Sequence, residues 1–291
     1  MPATILLKTR TNLSSQHTRL SAGVRATVPA TEIAGRHKTA VARIGGNAAT
    51  LTILLCLSLL LTSCKGDGRA LSREAAHAEL RRRGIERTSR AFVESAKTDD
   101  AALIKVFLDA GIDPDARADS GRTALMSAAE SGNEAALNAL LARGATLTLV
   151  DDDGRSALHW AAGSYRGYSC VRSLLNHGAD PCAKTPAGET PLTAAIYLPR
   201  LDPSASVLAS FDYLDTIKVL LDHGAEVNAQ NTRGLTPLMR ASVFGDTRIV
   251  QLLIDRGADV RAVDNEGNTA LKYAQQYNNI EAAKVIEQAG G

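Results

Sequence analysis

Gly111, Gly144, Gly178, Gly224, Gly257 and Gly290 each close the same short helical stripe, at spacings of 33, 34, 46, 33 and 33 residues. A period of that length confines the chain to a repeat array, because each unit is too small to bury its own apolar face. The seventh residue before each glycine is Ile104, Leu137, Val171, Ile217, Val250 and Ala283, and the fourth is Phe107, Leu140, Leu174, Leu220, Leu253 and Ile286. Apolar residues three apart share one helical face. Leu108, Leu141, Leu175, Leu221 and Ile254 continue the stripe, and the glycine closes each helix in the left-handed C′ conformation.

A second signal recurs about twelve residues after most of these glycines, as Thr123-Ala124-Leu125-Met126, Ser156-Ala157-Leu158-His159, Thr190-Pro191-Leu192-Thr193, Thr236-Pro237-Leu238-Met239 and Thr269-Ala270-Leu271-Lys272. Each reads as a helix start: the hydroxyl accepts from a first-turn N–H, and a proline at the next position loses no helical bond. Two short helices per 33 residues, joined by Gly, Asp and Asn-rich segments, resemble the ankyrin repeat, with Gly257-Ala258-Asp259-Val260 and Gly178-Ala179-Asp180 opening its hairpin. The resemblance covers residues 87–291 and implies an all-α solenoid of about six helix-pair units joined by β-hairpin-like loops. Its ends depart from the pattern as capping units do, with Arg90 and Ala91 replacing the usual helix-start pair and Glu287 interrupting the last stripe. Residues 64–86 read as a linker and a leader helix, with Ala75, Ala76, Leu80 and Ile85 on one face.

Residues 1–63 read as a leader and signal peptide. The run AATLTILLCLSLLLTS over 48–63 follows Arg36, Lys38 and Arg43; it is shorter than the roughly 20 residues of a membrane span and has the plan of a secretory signal. Leu61-Thr62-Ser63-Cys64 resembles the bacterial lipobox, which implies lipid attachment at Cys64 and a periplasm-facing place in the cell envelope. Val41 as the true start leaves a 23-residue leader, 41–63. The alternative is an uncleaved inner-membrane anchor with the repeats in the cytoplasm, since Lys65, Arg69, Arg73 and Arg81 to Arg83 also flank the apolar run.

Residues 1–64 hold seven Lys/Arg and one acidic residue; from 91 onward the count is 18 basic against 26 acidic, a net charge of −8. That charge argues against nucleic acid as a partner and favours a basic or neutral surface. The basic stretch 65–90 either faces anionic headgroups or is a solvated linker. Cys170 and Cys182 fall in one repeat, and the reading favours a buried apolar thiol plus a free loop thiol over a disulfide.

Catalytic and metal motifs are missing from the sequence: no serine has a nucleophile-elbow context, no histidine pair has zinc spacing and no glycine loop suits a phosphate. The resemblance implies capping roles for His177 and His223 and inter-repeat bonding for His159. Asp151-Asp152-Asp153-Gly154 reads as a turn rather than a calcium loop. No enzyme activity, cofactor, metal or small-molecule substrate is called for. In an ankyrin array the exposed inner-helix positions meet a protein partner on the concave face, and here they hold Trp160, Arg240, Val243, Phe244, Tyr273 and Tyr277, with Tyr197 beside an insertion near 197–212. Packing of Trp160 and Phe244 between repeats is the competing reading. Alternative roles are an inhibitor or immunity protein for an envelope hydrolase, and an enzyme whose pocket the insertion forms.

Overall fold

A computed structural model describes residues 70–98, 100–197, 210–244 and 246–291, with side chains omitted at 210–212. The expected signal peptide, the expected lipid-attachment residue Cys64 and the greater part of the insertion lie outside the described residues. Arg69–Gly291 forms one compact unit. It opens with α1 (Arg73–Arg82) and continues as six helix pairs: α2 (Ser89–Ser95) and α3 (Ala101–Asp109), α4 (Ala124–Ser131) and α5 (Glu134–Leu141), α6 (Ala157–Ala162) and α7 (Tyr168–Asn176), α8 (Pro191–Tyr197) and α9 (Ser210–Asp222), α10 (Pro237–Phe244) and α11 (Thr247–Asp255), and α12 (Ala270–Gln276) and α13 (Ile280–Gln288). These six pairs are repeats 1 to 6. The even-numbered helices pack on one another as an inner row, and the odd-numbered helices from α3 onward form an outer row. No strand is formed among the described residues.

The stripes account for this layering. Ile104, Leu137, Val171, Ile217 and Val250 are completely buried, as are Phe107, Leu140, Leu174, Leu220, Leu253 and Ile286, and one apolar cluster runs through the stack. The third column is shallower than its pattern implies: Leu108 and Leu175 are buried, but Leu141, Leu221 and Ile254 only half so. The six period-setting glycines have φ between 81° and 91°. At Thr123, Thr190, Thr236 and Thr269 the hydroxyl accepts the N–H three residues on, at 3.4, 3.3, 3.2 and 3.3 Å. Pro191 and Pro237 occupy the first position of α8 and α10.

Repeat 1 solves its capping differently. Arg90 stands at the usual cap position, and the helix instead starts two residues earlier, where Thr88 Oγ1 accepts from Ala91 N at 3.1 Å. α1 packs against α3, burying Ala76 and Leu80. His77 Nε2 and Arg87 Nη1 both donate to the Ala110 carbonyl at the end of α3, at 2.9 and 3.0 Å, satisfying an acceptor the helix leaves open. Part of the basic stretch is also spent internally. Arg83 bridges Glu79 and Asp100, both at 2.7 Å, and hydrogen bonds from Arg82 and Arg83 hold the Glu79 carboxyl down to about 2.

The loops between repeats are tight hairpins whose tips interlock. Asp152 N donates to Ser120 O at 3.1 Å, Thr232 N to Ala187 O at 3.0 Å and Asn265 N to Arg233 O at 3.0 Å. In repeat 4 the inner helix ends at Tyr197 and the outer helix starts at Ser210. α9 has 13 residues where α7 and α11 have nine. Residues 210–212, the end of the insertion placed near 197–212, therefore belong to an added helical turn.

Candidate protein-binding cleft

The hairpins and inner helices of repeats 3 to 5, with Glu130 of α4 and Tyr213 of α9, line a cleft of about 900 Å³. Trp160, Tyr197 and Arg240 line it together with Arg155, Glu189 and Arg233. Each inner helix places the fourth residue after its cap, Trp160 in α6 and Arg240 in α10, toward this space.

Trp160 is half-buried and held on three sides. Its indole Nε1 donates to Asp151 Oδ2 at 2.9 Å, the Arg122 guanidinium lies 4.1 Å from the ring centroid, and Arg155 lies 5.0 Å from it. The ring is oriented by its own hairpin and has two guanidiniums close to it, contacts that restrain the aromatic side chain. Asp151 Oδ1 also accepts the N–H groups of Asp153 and Arg155, at 3.1 and 2.8 Å. The Asp151 carboxylate is thus spent on turn and tryptophan bonding.

Arg240 was read as an exposed contact, yet only 12% of its side chain is accessible. It donates to Glu189 Oε1 at 2.5 Å, and its guanidinium lies 5.3 Å from the Tyr197 ring centroid. Asn231 Nδ2 donates to the same Glu189 oxygen at 2.8 Å. The Tyr197 ring also meets Phe244 edge to face at 5.6 Å and 77°, so Phe244 joins repeat 5 to repeat 4. Tyr197 remains 53% exposed.

His159 lies beneath this surface, 4% exposed. Its Nδ1 accepts from Ser156 N at 3.2 Å, so Nε2 carries the proton and donates to the Glu189 carbonyl at 3.2 Å. Burial pushes the imidazole below its ordinary value. The ring thereby links repeats 3 and 4 as a neutral group. His177 and His223 cap their own helices, Nδ1 donating to Ser173 O at 2.7 Å and to Val219 O at 2.8 Å.

The remaining predicted contacts lie apart from the cleft lining. Val243 is half-buried, and its carbonyl accepts from Asn279 Nδ2 at 2.9 Å. Tyr273 is also half-buried and donates its hydroxyl to Asp264 Oδ2 at 2.6 Å, the same nine-residue reach that joins Trp160 to Asp151. Tyr277 is 46% exposed on repeat 6. Sequence reasoning missed Arg155, Glu189, Arg233, Tyr165 and Tyr213 in the lining. Arg155 and Glu189 each immediately precede the capping residue, Ser156 or Thr190, and that hairpin register was the available signal.

Cys170 is fully buried, and burial pushes its thiol up to about 12. Cys182 is partly exposed and donates to Gly224 O at 3.3 Å; both thiols are free. Among the described residues, no helix is long and apolar enough to cross a membrane.

A family profile described as ankyrin repeats matches residues 92–185 and 205–290. The chain belongs to the ankyrin-repeat family, whose repeats indicate a protein–protein interaction module. It is also similar to an ankyrin repeat-containing protein of Treponema pallidum (strain Nichols), 27% identical over 128 residues, 44% of this chain and 43% of the relative. The match thus spans less than half the length of that relative.

Proposed function

We propose that this chain is an envelope-tethered ankyrin-repeat lipoprotein that captures a protein partner in the cleft of repeats 3 to 5 and catalyses no reaction. The observation that carries the binding role is the grouping of Trp160, Tyr197 and Arg240 around one cavity of about 900 Å³. Trp, Tyr and Arg are the side chains that most often dominate protein interfaces, and here bonds from neighbouring groups hold two of them in place before a partner arrives. Tethering rests on the sequence alone, on the short apolar run and the Leu61-Thr62-Ser63-Cys64 motif at its end. Such an anchor places the cleft in the periplasm.

A photo-crosslinking amino acid at Tyr197, introduced into the full chain in its native cell, tests the binding face. A discrete protein adduct that disappears with Trp160→Ala supports the cleft. Adducts from the outer-helix position Arg172 but none from Tyr197 would overturn it. Palmitate labelling with a Cys64→Ala control tests the tether: label lost in the variant supports it, and an unlabelled wild-type chain refutes it.

A further inference from the structure

The cleft's charge differs in sign from that of the array around it. From residue 91 onward the chain carries −8, yet the cleft is lined by the guanidiniums of Arg155, Arg233 and Arg240 against the carboxylates of Glu130 and Glu189. Both carboxylates are already neutralised inside the protein, Glu130 by Arg122 and Glu189 by Arg240, each at 2.5 Å. No carboxylate among the described residues pairs with Arg155 or Arg233. Arg155 rests over the Trp160 ring 5.0 Å from its centroid, and both arginines are exposed at the hairpin tips of repeats 3 and 5. Between them lies aromatic surface from Trp160, Tyr165 and Tyr197, the last two 62% and 53% exposed.

From this we infer that the cleft takes an acidic segment of its partner protein, with carboxylates paired to Arg155 and Arg233 and an apolar or aromatic side chain laid against Trp160 and Tyr197. The inference rests on the binding reading above and narrows it to a partner chemistry. Guanidinium–carboxylate pairs supply directional, charge-assisted bonds, while the aromatic walls supply burial. The net negative charge of residues 91 onward disfavours the same segment over much of the array's surface, which favours the cationic side chains of this cleft. A basic segment would meet two uncompensated guanidiniums.

The test selects short random displayed peptides on the full chain, resynthesises the winners and follows their binding through the fluorescence of Trp160, the single tryptophan of the chain. Acidic peptides that perturb Trp160, and bind about tenfold more weakly to Arg155→Gln plus Arg233→Gln, support the inference. Because neither arginine is paired to a carboxylate, this variant should lose little beyond the Arg155 contact with the Trp160 ring, and its melting temperature is measured alongside. Neutral or basic winners that perturb Trp160 overturn the inference and leave the binding cleft standing. So do acidic winners indifferent to the double variant, and so does a dimer dispersed by it, which would make a second copy the occupant. Winners that bind without any change at Trp160 overturn both readings.

Discussion

Arg240 in α10 reaches back one full repeat to Glu189, at the hairpin before α8, and the two meet at 2.5 Å. The pair does two things at once: it joins repeats 4 and 5, and it removes the cleft's central carboxylate from competition for a ligand. Its side chains are 12% and 29% accessible, so solvent screens it only partly.

A double-mutant cycle on this pair should return a coupling energy of about 1–2 kcal/mol, larger than for an exposed ion pair. Glu189→Gln should cost less than Arg240→Ala, because Asn231 Nδ2 still has an amide oxygen to donate to. Urea titrations of the four proteins measure the cycle. A coupling below about 0.3 kcal/mol would show that this ion pair adds nothing to the junction of repeats 4 and 5.

The glycines divide into two kinds, and alanine substitution should separate them. Gly144 has φ +83°, and an added Cβ there meets nothing within 4 Å. Its replacement carries only the left-handed penalty, about 1–2 kcal/mol. Gly154 has φ +77°, and its Cβ would stand 2.2 Å from Cδ of Pro186 in the next hairpin. A rigid ring cannot yield there, so Gly154→Ala should cost distinctly more, about 3 kcal/mol, and loosen the contact between repeats 3 and 4. Equal losses in denaturant unfolding would mean that the hairpins shift freely past one another.

Why the array was legible in the sequence and the cleft only partly so follows from what each depends on. The helix stripe and C′ glycines are local signals repeated six times and the caps five, so Ile104, Thr123 and Gly144 each had counterparts to confirm them. Trp160, Arg240 and Tyr273 shared a recognisable register, but exposure at that register depends on which hairpin group each side chain meets. Arg240 is drawn down by Glu189 of the preceding hairpin, and Tyr273 by Asp264 nine residues before it. The charge of the cleft was hidden for a related reason. Net charge adds all residues alike, while the cleft retains only arginines whose would-be partners are committed elsewhere.

Cysteine chemistry should follow burial. The Cys170 thiol, raised to about 12, holds almost no thiolate near neutrality and is inaccessible as well. Alkylation of the native chain without reductant should label Cys182 and leave Cys170 unmodified until denaturant is added. Peptide mapping by mass reads both sites directly. Protection of both residues until reduction would establish a disulfide between them.

Stability should fall in two stages on acidification, the first traceable to His159 and the second to Asp264 together with Glu79, whose carboxyl is likewise held down to about 2. Burial holds the His159 imidazole below its ordinary value, so the unfolded chain takes up its proton more readily than the folded one. The contribution is therefore fully present above about pH 6.5 and is lost as pH falls through the lowered folded value. Burial alone would raise the Asp264 carboxyl, but hydrogen bonds from the Tyr273 hydroxyl, Asn268 and the Glu266 N–H hold it down from 3.8 to about 2. Its contribution is present above pH 3.8 and disappears as pH falls toward about 2. His159→Gln should flatten the first stage while leaving the second. Tyr273→Phe should do the reverse, moving the second stage upward because the carboxyl loses a donor. Denaturation midpoints measured across pH 8 to 2 in the three proteins check the assignment, and a first stage that survives His159→Gln would place its origin in another group.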